Sequence, residues 1–204
     1  MNSSLDRPGH VVPIGPTRRA RLTTFCRALR WIAFVGVGSV GIADAAEHDM
    51  AGFVQGGVGD RPVWSADIGL IRDFRSKDSE SDSRWRFFGE IDLGEWRTRA
   101  TGGQPGKRYT HVGVTPTFRY AFGSDRSLFV ELGVGFNTVT PKYRIKNKQF
   151  STLFNFGDHV AIGKRFGDNL ENEIALRIEH FSNAGIGDPN PGQNFGQLRY
   201  ARHF

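Results

Sequence analysis

Along most of its length the chain alternates large apolar residues with polar or small ones, and this period of two constrains the fold more than any other feature. Leu128, Val130, Leu132, Val134 and Phe136 share one parity, while Phe129, Glu131, Gly133, Gly135 and Asn137 hold the other. Val112, Val114, Pro116, Phe118, Tyr120 and Phe122 likewise oppose His111, Gly113, Thr115, Thr117, Arg119 and Ala121. Trp85, Phe87, Ile91 and Leu93 oppose Arg84, Arg86, Phe88, Glu90 and Asp92. A helix repeats every 3.6 residues and cannot carry this pattern, whereas a strand with two unlike faces must. Such strands build either a soluble sandwich with an apolar core or a membrane barrel with an apolar exterior. The second faces decide between them: charges as dense as Arg84, Arg86, Glu90 and Asp92 suit a packed polar lumen. Segments of about ten residues also suit tilted strands crossing a bilayer.

Eight such segments are expected, near 52–59, 63–72, 84–96, 109–122, 127–138, 150–166, 170–182 and 195–204. The fold class is therefore all-β, an eight-stranded antiparallel transmembrane β-barrel. Eight strands leave an interior that side chains fill, which excludes an open pore. The ending "QLRYARHF", with Leu198, Tyr200 and Phe204 in one register, is similar to the C-terminal signal of bacterial outer-membrane barrels, although Arg202 departs from it. With both ends in the periplasm, "FGSDRS" and "FGDN" are short periplasmic turns. "RDFRSKDSESDSR" is a longer one.

The first 46 residues read as a cleaved secretory signal. A basic lead (Arg18, Arg19, Arg21, Arg27, Arg30) precedes "WIAFVGVGSVGIA", which is too short to span a bilayer. Ala43-Asp44-Ala45 then offers small residues to a signal peptidase, with cleavage expected after Ala45 or Ala46. The domain division is thus 1–46 leader and 47–204 barrel. Of the net charge of +6, residues 1–45 supply +4 from six arginines and two aspartates. The remaining +2 gives no argument for nucleic-acid binding. Cys26, the only cysteine, lies in the leader, so the barrel has no thiol chemistry. No phosphate loop, zinc spacing or dinucleotide fingerprint occurs, and no cofactor or metal is expected.

Strand seven carries the unusual feature. Ile174, Leu176 and Ile178 continue in the same parity to His180 and Ser182, so a polar pair sits on the lipid-facing row at the outer end. Polar groups there are costly unless satisfied or used. A neutral imidazole could take the serine proton and let the oxygen attack an ester arriving sideways from the membrane. Two interfacial polar residues at a strand end would look the same.

His180-Phe181-Ser182-Asn183-Ala184-Gly185-Ile186, followed by Pro189-Asn190 and Gly192, resembles the active-site signature of the PagL-type lipid A 3-O-deacylases. "FNFGDHVAIGKRFG", residues 154–167, is similar to that family's preceding strand. The resemblance implies an outer-membrane barrel that hydrolyses the ester-linked 3-hydroxyacyl chain at position 3 of lipid A. Ser182 would be nucleophile and His180 base, with Gly185 (backbone N–H) and Asn190 (side chain) donating to the oxyanion. The family's histidine-orienting glutamate falls fourteen residues past the histidine, where this chain has Asn194. The departure leaves open Asp158 as an alternative acid, expected opposite Ile178 and diagonal to His180. It also keeps a second reading, a non-catalytic structural or adhesive barrel. Lys142, Arg144, Lys146 and Lys148 in the outer loop after strand five, with Arg97, Arg99, Lys107 and Arg108 around the one after strand three, could form a basic rim for lipopolysaccharide phosphates. The expected partners are lipid A in the outer leaflet and, for a homodimer, a second copy of the chain.

Overall fold

The computed structural model of the chain describes residues 50–60, 63–74, 83–100, 105–145 and 148–204. The expected leader, the body of the long turn at 75–82 and Lys146 lie outside the described residues. Eight antiparallel strands close into a barrel: β1 (Met50–Gly59), β2 (Val63–Asp73), β3 (Trp85–Thr98), β4 (Arg108–Phe122), β5 (Leu128–Thr140), β8 (Phe154–Phe166), β9 (Asn172–Ser182) and β10 (Gln193–His203). Each strand pairs with its neighbour in sequence, and β1 closes the ring on β10. Between β5 and β8 the chain makes a small hairpin, β6 (Arg144–Ile145) with β7 (Lys148–Gln149). The sixth barrel strand therefore begins at Phe154 rather than near 150. The chain uses Tyr143 to Phe150 for a separate excursion instead.

The faces fall as the alternation predicts. Leu176 and Ile178 are 64% and 65% exposed on the outside, whereas Arg199 on the inside is 0% exposed. Burying charge is expensive unless every charge is paired. Within the lumen three arginines pair with three glutamates. Arg199 donates to Glu90 and Glu131 at 2.7 Å each and to Glu173 at 3.1 Å. Arg177 holds Glu90 at 2.7 Å, and Arg119 holds Glu131 at 2.6 Å and Glu173 at 2.7 Å. Arg119 also lies 3.9 Å over the Phe129 ring, which lets a buried guanidinium keep a favourable neighbour on its flat side.

Towards the rim that carries the β9–β10 connection, the lumen changes from ionic to aromatic. Trp96, Tyr109, Tyr143, Phe150, Phe181 and Phe195 form one buried cluster with Val63 and Val139. Trp96 meets Phe181 at 4.7 Å, edge to face, and Phe195 at 4.9 Å. Tyr143 and Phe150 come from the hairpin, so the excursion after β5 folds inward and caps the barrel. The site lies on the outside of that capped end.

Candidate active site

Alternation on β9 and β10 sends site residues outward and anchors them inward. On β9, Glu179 and Phe181 are buried, as is Asn183 just past the strand end, while His180 is exposed and Ser182 half-buried. On β10, buried Gln193 and Phe195 bracket exposed Asn194. Phe181 and Phe195, packed at 5.9 Å under the barrel wall, keep the two strand ends in register. That register puts Asn194 directly opposite His180.

The pair is hydrogen-bonded: His180 Nδ1 lies 2.6 Å from Asn194 Oδ1. With an amide oxygen at that distance, Nδ1 carries the proton and Nε2 keeps its lone pair. This is the tautomer that leaves Nε2 able to act as a general base. Ser182 is two residues along on the same face, opposite Phe156 of β8.

Asp158 also stands in this row, at a different position from the expected one. It pairs with His180 itself rather than with Ile178, because the β8–β9 turn occupies 167–171 instead of 167–169 and shifts the register by two. The imidazole thus has a neutral acceptor on β10 and an exposed carboxylate directly across on β8.

The loop after β9 is organised by Asn183, which sequence reasoning passed over. Its side chain is 1% exposed and donates to Ser151 Oγ at 2.8 Å and to the Gly187 carbonyl at 2.7 Å. Its Oδ1 accepts the Gly185 N–H at 2.9 Å, and its own N–H donates to Asn190 Oδ1 at 3.0 Å. Ala184 at φ 52° and Gly185 at φ 80° complete a tight left-handed turn. The signal was present as Asn-x-Gly at a strand end, a pattern in which the asparagine side chain mimics a backbone turn. Asn183 therefore brings Gly185 and Asn190 to one loop, with the oxygen end of Asn190 used internally and its NH2 end left for a ligand. Gly192 lies on the other side of the ring, where a Cβ would come within 2.7 Å of His180 Cε1.

The basic rim is smaller than expected. Lys142 and Arg144 are exposed, with Lys142 Nζ donating to the Ser151 carbonyl at 2.8 Å. Lys148 is buried, its ammonium bound to Asp60 and to the Gly192 carbonyl, and so it does not belong to the rim. Around the β3–β4 loop Arg99, Lys107 and Arg108 are exposed, while Arg97 stacks over Trp64 at 5.1 Å. Among the described residues, Glu90, Glu131 and His159 place ligand atoms within 4.8 Å of one another. Both carboxylates already hold guanidinium groups, which a metal would have to displace.

A closed eight-stranded antiparallel barrel with an apolar outer face and a charged lumen is an outer-membrane β-barrel. The chain belongs to the family described as lipid A 3-O-deacylase (PagL), which matches residues 64–203. The lipid A deacylase PagL of Bordetella bronchiseptica is 35% identical over 113 residues, 55% of this chain and 61% of that protein. The Pseudomonas aeruginosa lipid A deacylase PagL is 29% identical over 163 residues, 79% of this chain and 90% of that one. The chain thus spans less than two thirds of the first relative and nearly all of the second. The crystal structure of the outer membrane enzyme PagL shares the fold, with a TM-score of 0.58 at 23% identity, covering 74% of this chain and 98% of that one.

Proposed function

We propose that the chain is an outer-membrane esterase that removes the ester-linked 3-hydroxyacyl chain from position 3 of lipid A. The observation that carries this reading is the imidazole fixed by Asn194 at 2.6 Å on the lipid-facing side of a membrane barrel, in the serine's own row. A substrate for such a site must itself lie in the bilayer.

His180 Nε2 takes the Ser182 hydroxyl proton as Oγ adds to the ester carbonyl carbon. The carbonyl oxygen becomes an oxyanion, for which the Gly185 N–H and the Asn190 NH2 are the donors. Gly185 must then release or share its bond to Asn183 Oδ1 as the oxyanion forms. Collapse breaks the ester C–O bond, and the imidazolium returns the proton to the departing 3-hydroxyl of lipid A. Water then attacks the acyl-serine with His180 again as base, releasing the 3-hydroxy fatty acid and restoring the serine. Asn194 holds the Nδ1–H throughout. Residues 1–46 serve as the leader that takes the barrel to its membrane, and the exposed Lys142 and Arg144 meet the substrate's phosphates.

Purified, refolded Ser182→Ala and His180→Ala variants test the roles. Each should lose deacylation by at least about a thousandfold, while heat-modifiable gel migration reports an intact barrel. Substantial turnover in either folded variant removes it from the mechanism.

A further inference from the structure

Lys148 carries a charge yet is only 8% exposed. Its Nζ donates to Asp60 Oδ2 at 2.8 Å and to the Gly192 carbonyl at 2.9 Å. Asp60, in the β1–β2 turn, uses its other oxygen to accept from Gln193 Nε2 at 2.8 Å. Gln193 Oε1 in turn accepts from Tyr143 Oη at 3.0 Å, which returns the path to the hairpin. The Asn194 carbonyl is held as well, by the Asp60 N–H at 3.1 Å and by Gln193 Nε2 at 3.0 Å. Three separate connections are thus tied together at consecutive residues 192, 193 and 194.

Two of those residues touch His180. Gly192 packs its backbone beside Cε1, and Asn194 accepts from Nδ1. A buried ammonium is tolerated only when it is paired, and this one uses its pairing on the backbone beside the imidazole. We propose that Lys148 and Asp60 are positioning residues for His180, clamping Gly192 and Asn194 so that the ring keeps its Nδ1–H tautomer. The catalytic consequence rests on His180 acting as the base. The positioning itself does not. A lysine standing on the rim to bind lipid phosphate would act on substrate affinity instead.

The test compares Lys148→Met, Lys148→Arg and Asp60→Asn with the unaltered barrel in detergent micelles, each confirmed folded by heat-modifiable migration. The first readout is the ¹⁵N signature of His180, which distinguishes the two neutral tautomers and needs no substrate. Lys148→Met and Asp60→Asn should convert a single Nδ1–H species into a mixture, and Lys148→Arg should restore it. The second readout is lipid A hydrolysis in mixed micelles. Lys148→Met should lower kcat at least about tenfold with KM within about twofold, because misplacing a base affects the chemical step. An unchanged tautomer in Lys148→Met and Asp60→Asn, or a loss confined to KM, overturns the inference. If the unaltered barrel fails to cleave lipid A while the tautomer still responds to Lys148→Met, the clamp stands and the proposed substrate falls.

Discussion

Asn194 accepts the Nδ1 proton of His180 but carries no charge to set against the imidazolium that forms as Ser182 loses its proton. Asn194→Glu should therefore raise kcat, by about tenfold if the added carboxylate contributes about 1.4 kcal/mol in a water-poor site. Asn194→Ala, which loses the tautomer as well, should lower it by more than Asp158→Asn does. Single-turnover rates on one lipid A preparation at fixed pH decide the ranking, and an unaltered rate in all three variants contradicts it. Gly192→Ala belongs to the same scale: φ is +61° there, and the new methyl would meet His180 Cε1 at 2.7 Å. It should depress kcat while leaving the barrel folded. Asn194 was legible because it stands at the same fourteen-residue offset as the family's glutamate and occurs on a paired strand. Asp158 was legible only to within two residues. Turn length sets register, and nothing in "FGDN" requires the five-residue turn in which Gly167 and Leu170 both take positive φ.

At the scale of elements, β9 serves two environments from one alternation. Phe181, between the two site residues, is 1% exposed and packs edge to face on Trp96 at 4.7 Å and on His111 at 5.2 Å. Phe181→Ala should cost about 3–5 kcal/mol of stability by leaving a cavity in the cap. It should also cut activity, because His180 and Ser182 lose the anchor between them. The midpoint of denaturant unfolding in detergent reads the first effect, and a value unchanged from the parent barrel would show that the cap does not hold the strand. The hairpin between β5 and β8 was the least legible element. Its lysines and arginine read as a basic rim, since sequence alone cannot show that Tyr143 and Phe150 turn inward or that Asp60 pairs with Lys148. Contacts between loops distant in sequence leave no local period.

For the whole molecule, the parity of charges foretold a polar lumen but not its pairing, because the partners lie far apart in the chain: Arg199 reaches Glu90 across 109 residues. Arg199→Met would leave Glu90, Glu131 and Glu173 short of a shared counter-charge in a sealed interior. It should destabilise the barrel by about 3–5 kcal/mol, seen as a lower temperature at which gel migration converts to the unfolded form. The lumen stabilises, the aromatic cap seals and the outer face of one rim carries the chemistry, so the central claim concerns what that face does to a lipid. Mass spectrometry of lipid A from cells expressing the full chain tests it most directly, with folded Ser182→Ala as the reference. The chain should remove the mass of one 3-hydroxyacyl group, and Ser182→Ala should remove none. An unchanged lipid A profile in cells that hold the folded, unaltered barrel contradicts the claim.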